Sequence, residues 1–194
     1  MSWNKRLSRK ENHLETLQAI FSRRSVRRYS DRPVSPETLR AILCAGMAGP
    51  SCVNARDWCF VVVQNKQTLA AMADANGDPA RPLRSAAAGI LVCGDLARSF
   101  PPAPDYWVID GAIAAQNMVL AAQALGVGSV WLGTWPQQDR VARQAALFGL
   151  PEFIVPHSIL ALGYPESSEP VPLPALPDSA AGKWEADRVH WELW

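Results

Sequence analysis

The chain has 194 residues, 48% of them hydrophobic and 19% charged, with 19 Lys+Arg against 18 Asp+Glu. That length suits one domain with a real core, and that composition excludes a disordered chain. A net charge of +1 and a pI near 7.7 exclude a protein built around a polyanion, so no nucleic-acid partner is expected.

The N-terminal segment 1–12 is polar and carries no apolar signal region. Leu14, Leu17, Ile20 and Phe21 recur at helical spacing and predict a first helix from about His13 to Ser22. It delivers the chain to Arg23–Tyr29, where four arginines fall within six residues. In an extended segment Arg23, Ser25 and Arg27 face one way and Arg24, Val26 and Arg28 the other. Two guanidinium forks flanking a hydroxyl suit a phosphate monoester. Taken alone, a solvated basic turn is the simpler account of the heptad.

Ser35-Pro36-Glu37 is a helix start, and Leu39, Ile42, Leu43 and Met47 give that helix one apolar face until Gly46 and Gly49-Pro50 stop it. Trp58–Val63 predicts a strand buried on both faces, followed by a short helix at Gln67–Ala75, a loop at Asn76–Pro82 and a second buried strand at Gly89–Cys93. Asp105–Leu125 is a long helix apolar nearly all round, which must be covered on every side. Its run is interrupted by Asp110, Gln116, Asn117 and Gln123, so it is a poor membrane span and no membrane partner is expected. A strand at Ser129–Leu132, a helix at Gln137–Phe148 and a strand at His157–Leu162 complete a layered α/β pattern. The segment 164–194 is proline-rich at first and closes on Trp184, Trp191 and Trp194, which reads as an extended arm anchored on this chain's core or on a partner.

Cys44, Cys52, Cys59 and Cys93 form no C-x-x-C pair and no metal spacing, so no metal is expected, and free thiols in a reducing, cytoplasmic compartment are the simplest account. His13, His157 and His190 have no partner constellation that marks a base, and no catalytic side chain is assigned. No G-x-G-x-x-G follows a strand, which excludes a separate nicotinamide-binding domain of that type.

Several stretches then occur in a telling order. They are Arg-Arg-Ser-Val-Arg from Arg23, Pro-Ser-x-x-Asn-x-x-x-Trp from Pro50, Gln116-Asn117-Met118 with Gly126-x-Gly128, Leu162-Gly163-Tyr164-Pro165, and a closing Lys183–His190 basic segment. This chain resembles the nitroreductase family of flavin-dependent oxidoreductases from about Leu14 to Trp194. The resemblance implies a single α+β domain over 1–194, a mixed sheet flanked by helices, an extended C-terminal arm, and a homodimer with FMN at the subunit interface. It implies that Arg23, Ser25 and Arg27 hold the phosphate, ribityl chain and pyrimidine edge, with a lesser part for Arg24. Pro50, Ser51, Cys52, Val53 and Asn54 would line the isoalloxazine from the partner subunit. Trp131, Leu132 and Gly133 would lie along the other ring face, and Lys183 would return to the phosphate.

Two departures stand out. Arg56, followed by Asp57, replaces the glutamine many members carry two residues after the motif asparagine, and the two are candidates for an ion pair. Arg81 and Arg84 stand where members often place asparagine and lysine. The implied activity is reduction of a nitroaromatic, quinone or similar small conjugated acceptor by NAD(P)H, in a ping-pong cycle. The alternatives are other flavin chemistry on the same fold, such as reductive dehalogenation or flavin fragmentation, and a non-enzymatic phosphate-ligand or flavin-binding protein.

Overall fold

The Val-, Ile- and Leu-rich runs form a four-stranded sheet with the order β1-β2-β4-β3 in a computed structural model that describes residues 16–166. The strands are β1 (Trp58–Val63), β2 (Ala88–Asp95), β3 (Gly128–Gly133) and β4 (Ile154–Gly163). All three pairings are antiparallel. The only parallel contact among the described residues is a single bridge from Ser25 to Ser129, so the sheet is mixed only through that bridge.

The helices are α1 (Thr16–Ser22), α2 (Pro36–Met47), α3 (Lys66–Asn76), α4 (Tyr106–Ala124) and α5 (Gln138–Phe148). α2 begins where the sequence predicts, because the Ser35 hydroxyl accepts the Thr38 N–H at 3.2 Å and Pro36 lacks the amide that the first turn would leave unpaired. Asn65 caps α3 in the same way, accepting the Thr68 N–H at 3.0 Å. Each sheet face has its own core. Ile90, Val92, Leu160 and Leu162 pack with Leu39, Ile42, Met118 and Ala122 of α2 and α4. Leu91, Cys93, Ile159 and Ala161 pack with Leu69 and Met72 of α3 and with Ala80, Leu83 and Val130. The central strands β2 and β4 are therefore covered on both faces.

Three sequence expectations change. Among the described residues β1 is an edge strand, and Val62 is 40% exposed, so it is not buried on both faces. The expected loop after α3 contains a 3-10 helix at Asp78–Arg84. Pro79 and Pro82 fix backbone angles that such a turn accepts, and Ala80, Pro82 and Leu83 supply its buried side. β4 starts at Ile154, three residues ahead of the expected His157, because beyond a bulge that leaves His157 without a partner in β2, Ile154, Val155 and Pro156 still pair with Asp95, Gly94 and Cys93. The helix expected to be apolar all round is so in sequence, yet Tyr106 and Ile109 of α4 remain 44% and 50% exposed on this subunit.

Candidate active site

The arginine segment leaves α1 and crosses the start of β3 and the end of β4. Val26 N–H donates to the Ser129 carbonyl at 2.9 Å, and Tyr29 bridges to Pro165. Two glycines make this approach possible. A Cβ on Gly128 would stand 2.9 Å from Val26, and one on Gly163 would stand 2.8 Å from the Tyr29 ring. The buried Tyr29 hydroxyl lies 2.6 Å from the Val26 carbonyl and 3.0 Å from that of Ala161. Burial pushes this phenol well above its ordinary range against the pull of Arg27, so Tyr29 is a fixed neutral anchor.

With Val26 and Tyr29 turned inward, Ser25 and Arg27 are exposed and Arg23 is half-buried. The remaining arginines have other occupations. Arg24 Nη1 donates to the Phe21 and Arg23 carbonyls at 3.1 and 3.0 Å, closing the end of α1. Arg28 pairs with Glu166 at 2.8 Å. Among the described residues Arg23 and Arg27 have no carboxylate partner, whereas Arg28, Arg81, Arg84 and Arg143 do. The donor set of Arg23, Ser25 and Arg27 thus fits a phosphate-bearing group.

The second predicted stretch forms a tight turn. Cys52–Asn54 is one turn of 3-10 helix in which Val53 and Asn54 have φ of 45° and 59°, followed by Arg56 at 51°. A β-branched residue in the left-handed region is held there only by its surroundings. Asp110 of α4 supplies part of that hold by accepting the Cys52 N–H at 3.1 and 3.0 Å with its two oxygens. The Ser51 hydroxyl accepts the Arg56 N–H at 2.9 Å. Pro50, Val53 and Asn54 are exposed, while Ser51 and Cys52 are half-buried. The expected Arg56–Asp57 ion pair does not form, because Asp57 points into the fold and accepts the Ser99 hydroxyl at 3.0 Å, while Arg56 Nε donates to Asn54 Oδ1 at 3.1 Å.

Trp131 is 36% exposed and sits 5.9 Å from the His157 ring, which stacks edge-on against Trp107 as well. Burial lowers the His157 pKa, opposed by a hydrogen bond to the Val108 backbone. His157 is a buried strand residue within an aromatic cluster. Leu132 is buried, and Gly133 is exposed with its carbonyl accepting from Asn76 and Arg140 at 3.0 and 3.1 Å. Arg84 pairs with Asp74, and Arg81 with Asp78 at 3.4 Å, so both arginines are held in surface ion pairs. Lys183, His13, His190 and the arm tryptophans lie outside the described residues.

Within one chain these pieces do not all meet. The Cys52 turn sits on Asp110, near the N-terminal end of α4, while the arginine segment is tied to its far end by Gln123. About 20 Å of helix, at about 1.5 Å per residue, separates the two anchoring residues. From Val108 to Asn117 α4 presents a shallow, mostly apolar depression lined by Val108, Ile109, Ala112, Ile113, Gln116 and Asn117. The sequence marks Asp110 only as a break in an apolar run and Asp57 only as a candidate partner for Arg56, and assigns neither a place in the site. The available signal was an acid placed alone in an otherwise apolar helix.

Known proteins resemble this chain over nearly its whole length. The family model described as "Nitroreductase family" matches residues 20–93 and 83–164. A protein of Methanothermobacter thermautotrophicus named "Putative NADH dehydrogenase/NAD(P)H nitroreductase" is 40% identical over 185 residues, covering 95% of this chain and 91% of that one. A crystal structure carrying the same name, from Bacteroides thetaiotaomicron, superimposes with a TM-score of 0.80 at 37% identity, over 92% of this chain and 98% of that one. A structure named "FMN-dependent Nitroreductase", from Clostridium difficile, does so with a TM-score of 0.79 at 26% identity, over 92% and 99%.

Proposed function

This chain belongs to the nitroreductase family, and from that premise we propose that it is an FMN-dependent oxidoreductase that uses NAD(P)H to reduce a small conjugated acceptor, a nitroaromatic or quinone. The names of its relatives support both FMN and NAD(P)H as the redox partners. FMN, when bound, supplies the hydride and electron chemistry, and the protein supplies binding, orientation and electrostatics.

The observation that carries this reading is the separation of the Cys52 turn from the arginine segment along α4, with an exposed apolar face between them. A second copy packed antiparallel on that face brings the turn of one subunit to the arginines of the other, and such an isologous contact repeats itself to give two equivalent sites. We infer that the working unit is a homodimer of this kind. Ile109 and its neighbours then lose their exposure, which a large apolar interface requires.

At each site Arg23, Ser25 and Arg27 donate to the phosphate and ribityl oxygens, and Arg27 places positive charge near the pyrimidine edge. The partner's turn contributes Pro50, Ser51, Cys52, Val53 and Asn54 to one side of the ring system. Trp131, Leu132 and Gly133 line the opposite side through their backbone. Arg24, committed to the end of α1, contributes to the shape of the segment. Lys183 is assigned to the phosphate by its motif alone. NAD(P)H and acceptor use one open site in turn. No helix among the described residues is long and apolar enough to cross a membrane.

Purification with absorption spectroscopy, followed by steady-state kinetics, tests this function. The expected protein is yellow, releases FMN on denaturation, bleaches with NAD(P)H under anaerobic conditions, and gives parallel double-reciprocal lines at several fixed acceptor concentrations. Bleaching with intersecting lines rejects the shared site. A colourless protein that does not take up added FMN rejects the function.

A further inference from the structure

Two carboxyl groups lie beneath the Cys52 turn, and nothing in the proposed reaction uses them. Asp57 and Asp110 are each 1% exposed, and the Asp57 carboxyl lies near enough to bear on that of Asp110. Both oxygens of Asp110 face the Cys52 N–H. Asp57 Oδ2 accepts the Ser99 hydroxyl at 3.0 Å, and the Asp57 carbonyl accepts the Asp95 N–H at 2.6 Å. Asp57 Oδ1 is buried and, among the described residues, has no donor.

Two adjacent buried carboxylates repel, and a buried acceptor without a donor loses the hydration it had in the unfolded chain. One proton removes both penalties. A protonated Asp110 keeps an oxygen for the Cys52 N–H and donates its O–H to Asp57 Oδ1. Among the described residues no guanidinium pairs with either carboxylate: Arg98 Nη2 donates to the Ala55 carbonyl at 3.4 Å and Arg56 Nε to Asn54. The Asp95 carboxylate accepts the Ala97 N–H at 3.1 Å, and His157, whose ring lies against Gly111, is biased toward its neutral form by burial. The end of α2 near the turn, Cys44–Ala48, carries no ionised group.

We propose that a protonated Asp110 donates to the Asp57 carboxylate, and that the two act together as positioning residues that set the turn lining the flavin. The proposal rests on the reading of Pro50–Asn54 as that lining. Loss of the proton places a second negative charge under the turn, loosening its hold on FMN and disfavouring the build-up of negative charge on reduction. The direction of the Asp110 pKa agrees. Burial, the main cause, raises it; the Cys52 N–H opposes, and the charge and hydrogen bond of Asp57 add to the rise.

Asp110→Asn tests the pair, because the amide reproduces the protonated acid, its oxygen accepting from Cys52 and its NH2 donating to Asp57 Oδ1. Asp57→Asn does the same from the other side, accepting from Ser99 and donating to Asp110, and keeps the test decisive if the first variant does not fold. Melting midpoint, FMN dissociation constant and flavin reduction potential are measured for the wild-type and variant holoproteins at about pH 4.5 and about pH 8. A carboxyl held above its ordinary value contributes stability at low pH that is lost as pH rises through its folded value. Variants and wild type should therefore melt alike at the lower pH. At the higher pH the variants should melt above wild type, bind FMN at least as tightly and show a less negative potential. A melting difference independent of pH in both variants overturns the shared proton. A pH-dependent melting difference with unchanged FMN affinity and potential overturns its action on the flavin. If the wild-type protein takes up no FMN, the reading of the turn fails, and the melting comparison still decides the pair.

Discussion

Gln123 Nε2 donates to the Ser22 hydroxyl at 3.2 Å, tying the last turn of α4 to the last residue of α1. Ser22 is buried, and the next residue is Arg23, so this bond fixes where the arginine segment begins. The Cys52 turn is fixed to the same helix at Asp110, toward its other end. One helix thus holds both halves of the proposed site at a set spacing, and its exposed face is the surface on which the proposed second copy would pack.

The arginines should not be equivalent. Arg23→Ala and Arg27→Ala each remove a charge-assisted contact of about 1.5–3 kcal/mol, which corresponds to roughly tenfold to a hundredfold weaker FMN binding. Arg24→Ala should weaken binding less, because its guanidinium serves the Phe21 and Arg23 carbonyls. Fluorescence titration of apoprotein with FMN measures all three. Equal losses at Arg23 and Arg24 would contradict the division of the segment into two faces.

Ile109→Glu should convert the proposed dimer to a monomer and cost FMN binding with it. Ile109 is 50% exposed on one subunit, so the fold tolerates a charge there, whereas a buried interface does not. Sedimentation velocity with flavin absorbance reads both effects. A flavin-loaded dimer of normal mass in this variant would place the interface elsewhere.

Gly163→Ala should destabilise the protein by about 1–3 kcal/mol, the range expected when a methyl group is forced into a packed contact. The new Cβ would stand 2.8 Å from the ring of Tyr29, whose hydroxyl is held at the Ala161 carbonyl. Relief of that clash moves the arginine segment, so FMN affinity should fall together with the melting temperature. Loss of stability with unchanged affinity would show that the segment is not part of the site.

Buried His157 should make the fold sensitive to acid. Its pKa is lowered by burial, with the Val108 backbone opposing, so the unfolded chain binds the proton more tightly than the native one. The stability it contributes is present above its ordinary value of about 6.5 and is lost as pH falls through its lower folded value. The melting gap between wild type and His157→Gln should therefore narrow as pH is lowered below about 6.5. A gap of constant size across that window would mean that His157 does not titrate with folding.

Most elements and their order are legible in the sequence, because capping, proline placement and hydrophobic period are local physics. Ser35-Pro36 starts a helix, and Trp58–Val63 forms a strand, in any fold that accepts them. It also placed the arginine and Cys52 stretches as the candidate site, through their residue types and their resemblance to a family. Tertiary structure decided what no local pattern encodes. Among the described residues β1 lies at the edge of the sheet, because β2 takes its inner side and pairs with β4 on the other. Arg28 went to Glu166, while Arg23 and Arg27 found no carboxylate among the described residues, because the crossing over Gly128 and Gly163 turns Val26 and Tyr29 inward. Asp57 and Asp110, far apart in sequence, came to share one buried space under a turn of positive φ. Side chains distant along the chain meet only when the core is packed, so their chemistry, including the carboxyl pair, belongs to the fold and not to any segment of the sequence.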